Sequence, residues 1–388
     1  MAWNRRAPEA AVAPEPLSMV RWLGAALLAI VVGMGLFVLV ASGRAPELGN
    51  LNIWMLAGTP MLVWLLAFAI RIYTYGGALS HFQFLEDQAA EAESAWSQWA
   101  QRHFAVQASC VLLPDQVSAA VIAQGSAAGV PRRSGVARRI GTLPDGGGER
   151  MTLALEQSLR GMLPALKALP DEQPLQVTLL TDVAEQDCPA LRAAWENCWP
   201  KAVPRRTQLT PTLTGALSLQ WLENSLKSPG AAVDLLVVLQ INGQEAYSDG
   251  LAALLLCPEA LASERKLPVQ GRLLRPMPLD MDKLVTELPL FLQTQSVARQ
   301  AKGILADAAQ WQATLGTLLS MGRGQGTAFQ ADQQWIQESL CGVPGPFSHW
   351  LVAALGLEMS RHLQQPLVVL SQEPSQRWIS TVATGEPA

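Results

Sequence analysis

The chain has 388 residues, a formal net charge of −4, and only 15% charged residues against 49% hydrophobic ones. Soluble domains usually carry about 25% charged residues, so this balance points to membrane content. With no basic excess to neutralise phosphates, the composition argues against a nucleic-acid partner. The five cysteines, Cys110, Cys188, Cys198, Cys257 and Cys341, are scattered and form neither a CxxC pair nor a Cys/His cluster with metal spacing. Neither a disulfide framework nor a metal site is expected.

A short tail (1–21) leads into two apolar runs within residues 22–71, "WLGAALLAIVVGMGLFVLVAS" and "LNIWMLAGTPMLVWLLAFAI". Each is about 20 residues, long enough as a helix to span a hydrocarbon core of roughly 30 Å. Neither run carries a charge, which argues for a transmembrane hairpin over a buried core hairpin. Arg5, Arg6 and Arg21 precede the hairpin and Arg71 follows it, whereas the connecting loop holds only Arg44, beside Glu47. The positive-inside bias places both ends, and everything after Arg71, in the cytoplasm.

Residues 72–103 contain a polar helical run, "FLEDQAAEAESAWSQWAQRH", expected to link membrane to domain. It carries Trp96 and Trp99 with few apolar neighbours. A β-like run, "FAVQASCVLLP", opens the first α/β half (104–265). The Gly/Arg-rich segment that follows, with Arg132, Arg133, Arg138 and Arg139, reads as a mobile loop. Helix and strand patterns then alternate: helical "MTLALEQSLRGMLPALKAL", the strand "LQVTLLTD", helical "CPALRAAWENCWP" and "GALSLQWLENSLKS", and the apolar strands "VDLLVVLQING" and "GLAALLLCP". The second half (266–388) has the strand "VQGRLLRP", one long helical stretch from Asp282 to Met321, and the glycine-rich "MGRGQGTAFQAD". The helix "SHWLVAALGLEMSRHL" and the strands "PLVVLSQ" and "RWISTVA" close it. Such alternation predicts an α/β fold with a sheet covered on both faces. The glycine segment lacks the GK[ST] ending of a Walker loop, and no strand pattern precedes it as a dinucleotide fingerprint requires, so no cofactor is expected.

The order of "TPTLTGALSLQWLENSLKSPG", "AYSDGLAALLLCPEAL", "GRGQGTAFQAD" and "GPFSHWLVAALGLEMSRHL" resembles the thiolase-like fold of β-ketoacyl synthases over about residues 104–388. The resemblance implies a layered α/β domain, and a homodimer would follow from the central-sheet pairing usual in that fold. The catalytic pattern is broken. The nucleophile elbow aligns near Leu213, which has no nucleophilic atom, and the loop histidine aligns near Arg323, which cannot serve as a neutral base. Only His349 falls on a matching histidine. The glycine segment then reads as a scaffold loop kept for its backbone turns.

A two-helix anchor, a tryptophan-bearing linker and a degenerate domain together resemble the type VI lipase adapter family of Gram-negative bacteria. That resemblance implies a non-enzymatic adapter in the bacterial inner membrane, with a type VI lipase effector and the secretion spike as partners. No catalytic, cofactor or metal residue carries over. Trp96, Trp99, Arg132, Arg133, Arg138 and Arg139 are the candidate partner-binding residues, since interfaces favour tryptophan and arginine anchors. Two alternatives stand beside this reading. One is a membrane-bound acyltransferase or condensing enzyme, with Cys188 at a helix start as its best nucleophile. The other is an immunity protein that blocks a lipase.

Overall fold

A computed structural model of the chain describes residues 3, 11–44, 52–125, 135–204, 209–228 and 230–385. It divides into two compact units, residues 6–95 and residues 1–5 with 96–388. The first unit contains α1 (Met19–Ala41) and most of α2 (Ile53–Gln101). Both helices are long and apolar enough to cross a membrane. Leu27, Leu28 and Val63 on them are exposed, so this is not a hairpin buried in a core. The two helices meet closely at Gly33, where a Cβ would come within 2.5 Å of the Ala57 carbonyl oxygen. Small residues allow such approach between apolar helices. The Trp64 indole also donates to the Trp22 carbonyl at 3.1 Å.

The second apolar run and the polar linker are one helix, not two elements. α2 runs 49 residues without a break, roughly 75 Å, more than twice a hydrocarbon core. The polar stretch after Tyr75 is rich in Ala, Glu and Gln, so its propensity continues the helix that the apolar run begins.

The larger unit is a duplicated α/β structure. Its first half contains β1 (His103–Leu112), α3 (Ala119–Ala123), α4 (Gly147–Ala168), β2 (Leu175–Thr181), α5 (Cys188–Ala202), β3 (Thr212–Thr214), α6 (Leu219–Lys227), β4 (Val233–Gln240), β5 (Gly250–Pro258) and α7 (Glu259–Arg265). The second contains β6 (Gly271–Leu274), β7 (Met277–Leu279), α8 (Leu284–Thr294), α9 (Ser296–Gln300), β8 (Gly303–Ala306), α10 (Gln312–Gly324), β9 (Gln334–Ile336), α11 (Gln337–Cys341), α12 (Ser348–Leu363), β10 (Leu367–Gln372) and β11 (Arg377–Thr384). The sheet order is β3-β2-β4-β5-β1-β6-β11-β10-β8-β9, with β7 pairing β11. Leaving β7 aside, each half therefore runs third, second, fourth, fifth, first. In each half the fifth strand, β5 or β11, is antiparallel to both neighbours while the second to fourth are parallel. The halves join through antiparallel β1 and β6.

Alternation along the strands sorts the core into three clusters, because successive side chains point to opposite faces. Leu235, Val237 and Leu239 of β4 pack with α4 and α5, whereas Leu236 and Val238 face a middle cluster. That middle cluster takes Leu305, Val369 and Val382 from the second half-sheet, with Leu222 of α6 and most of α12. Ile304, Val368 and Ile379 face a third cluster with α8 and α10. The layering is therefore helix, sheet, helix, sheet, helix, with α6 and α12 in the centre.

The expected long helix from Asp282 to Met321 is broken. The strand β8 lies inside it, flanked by α8, α9 and α10. "GILA" is too short to show a strand period, and its setting is tertiary: a Cβ at Gly303 would meet Trp335 at 2.6 Å and Leu367 at 2.8 Å. The glycine segment also lies elsewhere than its pattern suggested. Its first four residues end α10, and the Thr327 and Gly326 N–H groups donate back to the Gly322 and Arg323 carbonyls, at 3.0 and 3.1 Å. Gly326 sits at φ +73. This is a Schellman helix stop, which satisfies terminal carbonyls and needs a left-handed residue.

Candidate functional site

The turn from β3 into α6, residues 215–218, meets the first turn of α12. Ser218 caps α6, its hydroxyl accepting from Gln220 N at 3.1 Å. The Leu217 carbonyl just before it accepts two side-chain donors from α12, His349 Nε2 at 2.8 Å and Trp350 Nε1 at 2.7 Å. A carbonyl can only accept, so Nε2 carries the hydrogen and Nδ1 of the neutral ring is bare. Nδ1 is buried with no hydrogen-bond partner. Burial pushes the His349 pKa below its ordinary value, against the opposing Leu217 carbonyl and the Glu373 charge.

Two carboxylates complete the cluster. Glu373 accepts from Leu219 N at 2.7 Å, a free donor in the first turn of α6. Asp307, at the end of β8, is 1% exposed. Its Oδ1 accepts from Trp311 Nε1 at 2.9 Å, and its Oδ2 from Gln372 N at 2.7 Å and Ser348 Oγ at 3.2 Å. Burial pushes the Asp307 carboxyl up to about 6 despite these donors. The network ties the ends of β8 and β10 to the starts of α6 and α12.

The polar side chains of this arrangement hold backbone in place. The elbow hydroxyls are occupied by local turns: Thr214 Oγ1 donates to Ala216 O at 2.8 Å, and Ser218 Oγ serves as the cap. His349 spends its Nε2 hydrogen on a carbonyl. Nucleophilic cysteines act as thiolates, but burial pushes the thiols of Cys110 and Cys257 up to about 11 and that of Cys341 to about 12; Cys198 is raised as well. Cys188 does open α5, half-buried and followed by Pro189. Among the described residues no cysteine is hydrogen-bonded to a histidine, and no group of three metal-ligating side chains occurs.

The two positions that the resemblance aligns with family catalysts are not the one hydrogen-bonded to His349. Leu213 lies within the edge strand β3, half-buried, and Arg323 is exposed at the end of α10.

The proposed docking residues divide. Arg132 and Arg133 lie outside the described residues. Residues 136–140 are not mobile loop but pinned backbone. Arg138 N donates to Ser248 Oγ, Asp249 N to Arg138 O, and Ile140 N to Asp249 Oδ2, all within 3.0 Å. Arg138 Nη1 reaches Asp115 and the Leu340 carbonyl, both at 2.9 Å. Arg139 pairs at 3.2 Å with Asp249, which also takes Arg150. Arginines in a Gly-rich segment look solvated in sequence, and the buried acceptor that orders them lies about 110 residues away. Trp96 and Trp99 also have the apolar neighbours their linker seemed to lack. They stack at 4.7 Å and are half-buried on the third cluster. Trp99 further meets Trp3 edge-on at 5.3 Å and lies 4.0 Å beneath the guanidinium of Arg275. Both partners are remote in sequence, so periodicity could not show them.

No protein-family model matches the chain, and no curated protein sequence matches it. Solved structures with a similar arrangement include ketosynthases. The AntDE:AntF complex of a type II polyketide ketosynthase with its acyl-carrier protein covers 74% of this chain and 100% of its own, at 11% identity and TM-score 0.49. Cerulenin-bound OleA of Xanthomonas campestris covers 74% and 98%, at 10% identity and TM-score 0.44. The 3-oxoacyl-[acyl-carrier-protein] synthase III of Aquifex aeolicus covers 72% and 99%, at 10% identity and TM-score 0.41. The mixed α/β layering expected from sequence is the architecture observed, with one strand order repeated in the two halves.

Proposed function

We propose that the chain is a non-enzymatic adapter, a membrane-anchored domain that holds a partner protein by its surface. The observation that carries this reading is the elbow between β3 and α6. There a main-chain carbonyl, not a nucleophile, faces His349, and the histidine and Trp350 are both used to hold it. Four of the five cysteines are thiols of raised pKa, which adds support. Within this reading the partners are a lipase effector of a type VI secretion machine and the spike that carries it. The domain faces the cytoplasm of a bacterial inner membrane. Arg139, whose side chain is 42% exposed, belongs to the docking surface.

The test is affinity capture of the effector and spike by the full chain in native membranes, with wild type compared against His349→Gln and Cys188→Ala. The adapter reading expects unchanged capture by both variants and no labelling of any cysteine by an acyl-thioester probe. A labelled cysteine, or failure of the wild type to capture either component, overturns it.

A further inference from the structure

A second feature lies at the other end of α6. The helix has nine residues, roughly 13 Å. Its first turn belongs to the His349 network, and its last, with Ser225 and Leu226, borders a cavity of about 390 Å³. That volume falls within the range of small-ligand sites. Phe104, Leu226, Pro258 and Ala260 supply apolar wall, and Arg102, His103 and Glu259 stand with them.

The charges around this cavity do not balance. His103 Nδ1 lies 3.4 Å from Glu259, and Lys227 lies 2.9 Å from Glu223. Arg102 is exposed and makes no side-chain hydrogen bond or ion pair among the described residues. Its main-chain neighbour Arg275, whose N–H donates to the Arg102 carbonyl at 3.1 Å, is fully buried. Arg275 spends Nε on the Trp99 carbonyl, but Nη1 and Nη2 have no hydrogen-bond partner. Its nearest carboxylate oxygen, on Glu223, is 3.8 Å away and shared with Lys227. Arg275 and Lys227 thus share Glu223 and Arg102 has no carboxylate partner among the described residues, so three cations stand against Glu223 and Glu259. A buried guanidinium with two idle nitrogens carries a desolvation cost that an anion would offset. A cationic or neutral ligand would leave both arginines uncompensated.

We propose that this cavity binds a single-chain anionic amphiphile, its acyl chain against Phe104, Leu226 and Pro258 and its head group at Arg102. The site is separate from the His349 elbow, and its occupancy does not depend on the adapter reading.

The test uses the full chain in nanodiscs and two photo-crosslinking probes, a diazirine-bearing dodecanoic acid and a lysophosphatidylglycerol with the diazirine on its one acyl chain. Labelled peptides are mapped by mass spectrometry, with labelling of α1 as internal reference. Labelling at residues 102–104, 225–226 or 258–260 is expected. Arg102→Glu and the cavity-filling Leu226→Trp should each lower it at least fivefold while labelling of α1 is unchanged. Labelling by the free acid or by the lipid identifies the source, and either supports the site. No label at these peptides overturns the proposal, as does a signal unaffected by both variants or competed equally well by dodecyltrimethylammonium.

Discussion

Asp182 and Asp307 occupy the same place in the two half-sheets. Each stands at the end of its second strand and accepts a main-chain N–H from the end of the fourth. Asp182 takes Ile241 and Asn242 at 3.1 and 2.8 Å, and Asp307 takes Gln372 at 2.7 Å. The duplicated fold thus repeats a side-chain device. Both carboxyls are raised by burial, Asp307 to about 6.

That shift has a definite sign. Between pH 4 and 6 the folded state holds a proton on Asp307 that the unfolded chain has released, so this group makes stability fall as pH rises. The window from the ordinary value of 3.8 to about 6 corresponds to roughly 2–3 kcal/mol. Asp307→Asn cannot titrate. The margin by which wild type exceeds Asp307→Asn should therefore be about 2–3 kcal/mol larger at pH 4 than at pH 7, read from urea unfolding of detergent-solubilised protein. A margin that is flat across this range would refute the buried-carboxyl account.

His349 has the opposite sign. Its folded pKa is depressed by burial, so below the ordinary 6.5 the unfolded chain binds a proton that the folded chain does not. Stability from this group is present above pH 6.5 and declines as pH falls, by at most about 1.4 kcal/mol per pH unit. His349→Gln keeps a donor for the Leu217 carbonyl and does not titrate. Wild type should lose stability relative to His349→Gln between pH 7 and pH 5, and parallel curves would count against a buried neutral ring.

Gly322 and Gly324 separate packing from propensity. A Cβ at Gly322 would meet the Phe329 ring and the Thr327 hydroxyl, both at 2.6 Å, whereas nothing lies within 4 Å of one at Gly324. Gly322→Ala should cost about 1–3 kcal/mol through overpacking. Gly324→Ala, in the same helix turn, should be neutral or stabilising by up to about 1 kcal/mol. Equal effects in thermal unfolding would mean that the glycine segment is not held against α10 as described.

The parts legible in the sequence are those with local causes. "VDLLVVLQ" and "GLAALLLCP" are continuous apolar runs because both faces of their strands are covered, and they read as strands for that reason. The helix "SHWLVAALGLEMSRHL" was equally plain. Its His349 was found by motif, but the Leu217 carbonyl it holds was not, since a backbone acceptor has no sequence signature. Strand β8 was lost among helical neighbours, and the repeated strand order emerged only from pairing. Asp182 and Asp307 did leave a trace, each closing an apolar strand as "LLTD" and "ILAD", but nothing local marks such a carboxylate as buried.

Trp3 gives the last prediction. Its ring is 6% exposed, meets Trp99 at 5.3 Å and Phe291 at 5.8 Å, and donates to the Pro276 carbonyl at 3.3 Å. This residue precedes both apolar helices and its partners follow them. Any bilayer crossed by α1 and α2 must therefore have the N-terminus and the domain on one side, as an even number of crossings requires. Trp3→Ala removes these contacts and should cost about 1–3 kcal/mol. The variant should make the tail accessible to protease while melting of the domain shifts only slightly. Accessibility from the face opposite the domain in sealed vesicles, or an equally protected tail in wild type and variant, would show that Trp3 does not dock.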